Sequence, residues 1–418
     1  MLRWAALSLF LITIAGCTDQ QPGGLTFSGS AVGREADLLR IQLARFSAAR
    51  GIRVDIRATP DSADQRHQLY VQWLNARSPA PDVLQLDVVW TPEFAAAGWL
   101  LPLDRFGPAR EAFFPATLDA NQWRGTLYGL PWFVDVGMLY WRTDIFDAPP
   151  ATFEALTTTA KRAMDEGRVR HGFVYQGARY EGLVTVFLEY LGGTGGEILD
   201  GRGRVVIDSE PAVRALTMMR DHVHRDGIVP TAALTWHEEE TRFAFQNGSA
   251  AAMRNWPYAF SLLQAPDSKV AGRFAVSPMP AQPGDGHPTA ALGGSQLAIN
   301  ARTTHQEAAW ALVEYLTAAD QMRERARVVG QFPSRAALYE PGGGLEGALG
   351  ISPAAARSII AAARPRPVTP VYTELSEILQ VRLHNALTRQ QEPRAALEAA
   401  AGEMRTLLER TGLADQRP

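Results

Sequence analysis

The chain has 418 residues, of which 46% are hydrophobic, 20% charged and 9% aromatic. That much apolar material excludes wholesale disorder, and at about 150 residues per domain the length points to two or three domains. A formal charge of −3 without any basic block gives no basis for a nucleic-acid partner, and a single cysteine excludes a disulfide within the chain.

The first element is a leader. Arg3 precedes a mostly apolar run, Trp4 to Ile14, of signal-peptide length and too short to span a bilayer comfortably as a helix. It ends in Ile14-Ala15-Gly16-Cys17. Small residues before a cysteine resemble the bacterial lipoprotein signal, so residues 1–16 are expected to be removed and Cys17 lipidated. Residues 17–24, polar and ending in Pro22-Gly23-Gly24, read as a lipidated flexible tether. Two or more acyl chains hold a protein on a membrane durably. No later stretch is long and apolar enough for a transmembrane helix, which places the body in the periplasm or on the outer face of the cytoplasmic membrane.

In the body, Leu25 to Ser30 reads as a strand, followed by a helix with Ala36, Leu39, Leu43 and Phe46 at helical spacing, stopped by Gly51. Ile52, Val54 and Ile56 alternate with Arg53, Asp55 and Arg57, a strand pattern. A helix is expected from about Ser62 to Ala76, broken by Ser78-Pro79-Ala80-Pro81. Val83 to Val89 reads as a strand ending near Asp87, and Thr91-Pro92 opens a short helix with the threonine as cap, closed by Gly98. Strands alternating with helices predict an α/β fold with a sheet covered on both faces, whose ligands sit beyond strand carboxyl ends such as that of Asp87. Thr152 to Pro266 reads as mainly helical, interrupted by the glycines of 192–196. Gln296 to Asn300 reads as a strand, and His305–Leu316, Glu374–Leu387 and Arg394–Leu408 as helices.

Catalytic and metal motifs fail on inspection. His237-Glu238-Glu239-Glu240-Thr241 lacks the second histidine that a zinc-protease helix needs four residues on. The tract from Gly192 has Ile198 where a dinucleotide fingerprint needs its third glycine, and no P-loop lysine or nucleophile elbow occurs. No cofactor or metal is expected. What remains is a supply of aromatics beside acids: Trp90 near Asp87, Tyr128, Trp132 and Tyr140-Trp141 around Asp135, Trp236 before Glu238, and Trp256-Pro257-Tyr258. Sugars present hydroxyls around a rim and apolar C–H faces, which suits carboxylates and arginines at the edge and rings on the face. Each aromatic taken singly is as well explained as core.

The run Pro81-Asp82-Val83-Leu84-Gln85-Leu86-Asp87-Val88-Val89-Trp90-Thr91-Pro92-Glu93-Phe94-Ala95-Ala96-Ala97-Gly98-Trp99-Leu100 resembles the extracellular solute-binding proteins of sugar ABC importers, closest to their trehalose/maltose-binding branch. Four further segments agree in order: Tyr128-Gly129-Leu130-Pro131 leading to Leu139-Tyr140-Trp141-Arg142; Tyr180-Glu181-Gly182-Leu183; Phe245-Gln246-Asn247-Gly248 leading to Asn255-Trp256-Pro257-Tyr258; and Arg366-Pro367-Val368-Thr369-Pro370-Val371-Tyr372. The resemblance implies a type II periplasmic-binding-protein fold, two α/β lobes joined by a hinge with the ligand cleft between them. It puts 25–134 and 297–331 in the N-terminal lobe and 137–293 and 335–418 in the C-terminal lobe, with crossings near Phe133–Gly137, Leu292–Leu297 and Gly330–Ser334.

The resemblance also carries the site. Asp87, Asp135 and Glu238 would accept hydrogen bonds from sugar hydroxyls, and Arg366 would donate. Trp256 would stack on a sugar face, with Trp236 or Tyr372 as a second platform. Gly293-Gly294 is either a close approach to ligand or a plain hinge turn, and Glu35 is either a contact or a support for the first helix through its dipole. A trehalose-binding member of the branch has asparagine at the position matching Asp135; an ionised aspartate only accepts where an asparagine also donates. The implied partners are an α-linked glucose disaccharide (maltose or trehalose, with sucrose as a further candidate), the transmembrane subunits of an ABC permease and a membrane reached through the anchor, for a monomer that closes around its sugar by hinge rotation. The rival from another class is a glycoside hydrolase acting through a carboxylate pair.

Overall fold

Short apolar runs bounded by turns make the strands of two main sheets. The computed structural model describes residues 24–29, 34–60, 63–284 and 286–414; the leader and Cys17 lie outside these residues. The strands are β1 (Leu25–Ser28), β2 (Val54–Arg57), β3 (Val83–Asp87), β4 (Gln122–Trp123), β5 (Thr126–Leu127), β6 (Gly129–Val136), β7 (Met138–Arg142), β8 (His171–Val174), β9 (Ala250–Asn255), β10 (Phe274–Ser277), β11 (Ala290–Ile299), β12 (Phe332–Pro333) and β13 (Ala363–Arg364). The first sheet runs β12-β6-β11-β3-β1-β2, with β13 also on β11; the second runs β10-β7-β9-β8; β4 and β5 form a separate hairpin. β1 is parallel to β2 and β3, while β11 is antiparallel to β3 and β6.

The early elements follow their sequence patterns. Helix Arg34–Arg50 buries Leu38, Leu39, Leu43 and Phe46, and ends at Gly51, whose φ of +66° suits glycine. β3 is buried up to Asp87, which emerges at its carboxyl end. β2 lies at the sheet edge, so Ile56 is 42% exposed despite its strand alternation. Two expectations need correction. Trp90, not Thr91, takes the cap position of helix Thr91–Ala96; Thr91 is inside the helix and its hydroxyl donates to Asn121 Oδ1 at 3.1 Å. The segment read as mainly helical holds β8 and β9, half of the second sheet. β9 is Ala-Ala-Ala-Met-Arg-Asn, good helix formers with every residue buried; tertiary pairing with β7 and β8 overrides that propensity.

Helix Glu181–Gly193 is buried nearly all round because helices Glu210–His224 and Tyr372–Leu387 cover it. The two sheets meet where β6 runs into β7 through Gly137. The Gly137 N–H donates to the Ala291 carbonyl at 3.2 Å. A Cβ on Gly137 would stand 1.7 Å from Glu189 Oε1, so only glycine passes here. β6 pairs with β11 on one side and with β12 on the other.

Candidate functional site

A cleft of about 490 Å³ opens at this junction. Seven of the predicted residues line it: Asp87, Asp135, Glu238, Trp256, Gly293, Gly294 and Arg366. A second cavity, of about 480 Å³, is lined by Gly192, Gly195, Gly196 and neighbours and contains none of them.

Each residue is held by a specific element. Asp87 ends β3, and its Oδ1 accepts from the Val89 N–H at 3.3 Å and from Arg366 Nη2 at 3.4 Å. Asp135 lies on β6 opposite Gly293 of β11. Burial, then Glu35 and Asp87, push its carboxyl up to about 7. Glu238 is the first residue of helix Glu238–Gln246, and its Oε1 accepts from the Trp256 indole at 3.4 Å.

Trp256 follows β9 and is fixed on three sides. Its N–H donates to Asn255 Oδ1 at 2.8 Å, its carbonyl accepts from the Tyr140 hydroxyl at 2.7 Å, and the Arg254 guanidinium lies 4.0 Å from the ring centre. That cation–π contact backs one ring face, and the partly buried ring lines the cleft. Arg254 is itself fully buried and paired with Glu189 at 2.6 Å. Glu189 also accepts from the Ala291 N–H at 3.1 Å.

Gly294 has φ of +108°, and a Cβ there would stand 2.3 Å from the Phe133 carbonyl oxygen. A Cβ on Gly293 would stand 3.3 Å from Asp135 Cβ and 3.4 Å from the Trp256 ring. The pair is thus both a tight strand feature and a wall of the cleft.

Arg366 is 7% exposed. Its Nη1 donates to Glu181 Oε1 at 2.8 Å, its Nη2 reaches Asp87, and its buried Nε–H finds no acceptor among the described residues. Burial opposes its charge, but Asp87, Tyr372 and Glu181 outweigh that and raise its basicity. Two of the five N–H groups of this fixed cation are engaged, which leaves the Nε–H among those able to donate elsewhere.

Three predicted residues do not line the cleft. Glu35 stands behind it, its Oε1 accepting from Arg325 Nη2 at 2.8 Å and Gln331 Nε2 at 2.9 Å. Tyr372 is buried and donates to Glu181 Oε1 at 2.5 Å, so it positions Glu181 instead of offering a platform. Trp236 is partly buried, packs against both main cores with its ring centre 6.1 Å from that of His171, and lies outside the cleft lining. Most of the other aromatics are core: Trp132 and Tyr140 are fully buried, and Trp90 sits among Tyr70, Phe94 and Leu84.

The cleft adds Tyr180, Glu181, Tyr258 and Gln380. Glu181 is the hub of one wall, holding Arg366, Tyr372 and the Ser376 hydroxyl. Tyr258 donates to Glu239 Oε1 at 2.7 Å. Gln380 gave no local signal; it lies four residues after Ser376 on one helix face and donates to it at 3.0 Å. Among the described residues no group of three or more His, Cys, Asp or Glu could hold a metal ion, and no helix is long and apolar enough to cross a membrane.

Comparison with known proteins gives consistent matches. Residues 33–323 match the family model of the bacterial extracellular solute-binding protein. The chain is 34% identical over 417 residues to a probable ABC transporter-binding protein of Deinococcus radiodurans, covering 97% of this chain and 98% of that protein. Among solved structures, maltose-bound MalE3 of T. maritima is 41% identical with a TM-score of 0.81, covering 92% of this chain and all of the other (100%). The GacH receptor of Streptomyces glaucescens, solved unliganded and with acarbose and an acarbose homolog, shares the fold at 23% identity and a TM-score of 0.79, over 92% of this chain and 98% of that one.

Proposed function

The chain belongs to the bacterial extracellular solute-binding proteins, and from that membership we infer that it captures an α-linked glucose disaccharide (maltose or trehalose, with sucrose as a further candidate) and delivers it to an ABC permease. The observation that carries this is the composition of the cleft. Acceptors from the first sheet (Asp87, Asp135) and from a helix start (Glu238), a buried arginine with a free N–H and the Trp256 indole converge on a space of about 490 Å³. Hydroxyls meet the acids, an oxygen meets Arg366, and a sugar face lies on Trp256. The maltose in the T. maritima relative supports the choice of ligand class. Family membership sets aside the glycoside hydrolase reading: these are binding components, not enzymes.

The lobes are taken as 25–134 with 297–331 and 137–293 with 335–418, closing about the strands β6, β11 and β12. Sugar touching both lobes stabilises the closed form. The protein acts as a monomer outside the cytoplasm, tethered through lipidated Cys17 after loss of residues 1–16. Cys17→Ser is expected to shift it from the membrane to the soluble fraction; unchanged membrane retention after removal of peripheral proteins would rule out the anchor.

Calorimetric titration with maltose, trehalose, sucrose and other short α-glucosides tests the ligand. A saturable heat with a change in tryptophan fluorescence is expected for at least one; silence to all, or release of glucose, would overturn the reading. Asp87→Ala is expected to weaken binding ten- to a hundredfold, about 1–3 kcal/mol, because sugar hydroxyls lose their acceptor. An unchanged dissociation constant would remove Asp87 from the site.

A further inference from the structure

The acids around the cleft are not equivalent. Asp87 faces Arg366, Glu35 faces Arg325, Glu181 holds Arg366 and Tyr372, and Glu238 accepts from the Trp256 indole. Asp135 has no cation and no hydrogen-bond donor among the described residues. The strands beside it do not help: β11 presents Gly293 and Gly294, and β12 presents Phe332 and Pro333. Helix Arg34–Arg50 contributes Glu35 and β3 contributes Asp87, both acidic. Helix Ala319–Val329 contributes Arg325, already taken by Glu35 and lying 4.0 Å over Trp132. Across the cleft stand Glu238 and Tyr258, with Arg254 behind Trp256 and bound to Glu189.

We propose that Asp135 engages the sugar as a neutral carboxylic acid, donating its proton in a hydrogen bond to a ring or glycosidic oxygen, so that binding takes up a proton wherever the unliganded cleft is ionised. This rests on the saccharide reading. Ring and glycosidic oxygens carry no hydrogen and only accept, while Asp87 and Glu238 as carboxylates only accept as well. Arg366 supplies a donor at one wall; a protonated Asp135 supplies one on the β6 side. It makes a carboxyl do what an asparagine would do there. Burial with Glu35 and Asp87 holding this group up to about 7 means that both forms are present at neutral pH.

The sign follows from linkage. Below about pH 6 the acid is already protonated and affinity is flat; above about pH 7 affinity falls up to tenfold per pH unit. The test is calorimetric titration of the detergent-solubilised full chain with maltose and with trehalose from pH 5.5 to 8.5, in phosphate and in Tris. The expected result is a dissociation constant that rises about thirtyfold across that range, with buffer-dependent heats showing uptake of close to one proton at pH 8. Asp135→Asn is expected to bind equally at both ends of the range and take up none. His237, whose ring centre lies 4.4 Å from that of the cleft residue Tyr180, is the control imidazole. His237→Gln should keep the wild-type profile, and a flattened profile would assign the proton to the imidazole and overturn the proposal. A wild-type constant that stays level with no buffer-dependent heat would also overturn it while leaving the saccharide reading intact. No heat with either sugar at any pH would bring down the saccharide reading, and this proposal with it.

Discussion

Replacing Arg366 with alanine is expected to weaken saccharide binding by about 30- to 1000-fold, roughly 2–4 kcal/mol. Arg366 does two things at once. Its buried Nε–H has no acceptor among the described residues, and its two Nη groups hold Asp87 and Glu181. Asp87 belongs to the first sheet and Glu181 opens a helix on the second, so the cation spans the cleft. Without it, two partly exposed carboxylates lose the cation they share, which opposes closure as well as removing a ligand contact. Arg366→Lys keeps the charge but cannot hold both acids with one ammonium, so an intermediate loss is expected. In a double-mutant cycle by calorimetry, Asp87→Ala with Arg366→Ala should cost less than the sum of the two, since each removes part of the same contact. Full additivity would show that the pair does not act as a unit.

Arg254→Met is expected to lower the unfolding free energy by about 3–5 kcal/mol, because it strands a charge that has no access to water. Arg254 and Glu189 are both 0% exposed. Burial lifts the Glu189 carboxyl above its usual range even with Arg254 beside it. Glu189 Oε1 also accepts from the Ala291 N–H and sits where a Gly137 Cβ would fall. The pair thus links the β6–β7 passage, β11 and the back of the Trp256 ring. Glu189→Gln leaves a neutral partner able to accept from Arg254, but Arg254 remains a charge without its counterion, so a loss of similar order is expected. Arg254→Met with Glu189→Met removes both charges, and should recover much of the stability while leaving Trp256 without its backing cation. Denaturant unfolding measures the first effect, and the tryptophan response to sugar measures the second. A single Arg254→Met variant as stable as wild type would show that the pair carries no structural weight.

How much of this was legible in advance differs by element. β1, β3 and helix Arg34–Arg50 announced themselves because their apolar spacing and bounding glycines or prolines match one period each. β9 did not, since an alanine run carries no strand signature and becomes a strand only through β7 and β8. Asp87, Asp135, Glu238, Trp256, Gly293, Gly294 and Arg366 were all named from residue order and resemblance, and all line the cleft. Trp236 and Tyr372 were indistinguishable in sequence from Trp256, because an aromatic beside an acid looks the same whether the ring faces solvent or core.

Residue order alone established an α/β chain with a leader pattern ending at Cys17, the strand end that presents Asp87, and the family. Those are local matters of period, composition and short motifs. Tertiary structure alone decided which acids have arginines and which does not, that Glu181 organises a wall, and that Trp256 has one face backed by Arg254. Pairings of that kind join residues 279 positions apart for Asp87 and Arg366 and 290 apart for Glu35 and Arg325. Charge compensation depends on distance through space, which spacing along the chain does not encode.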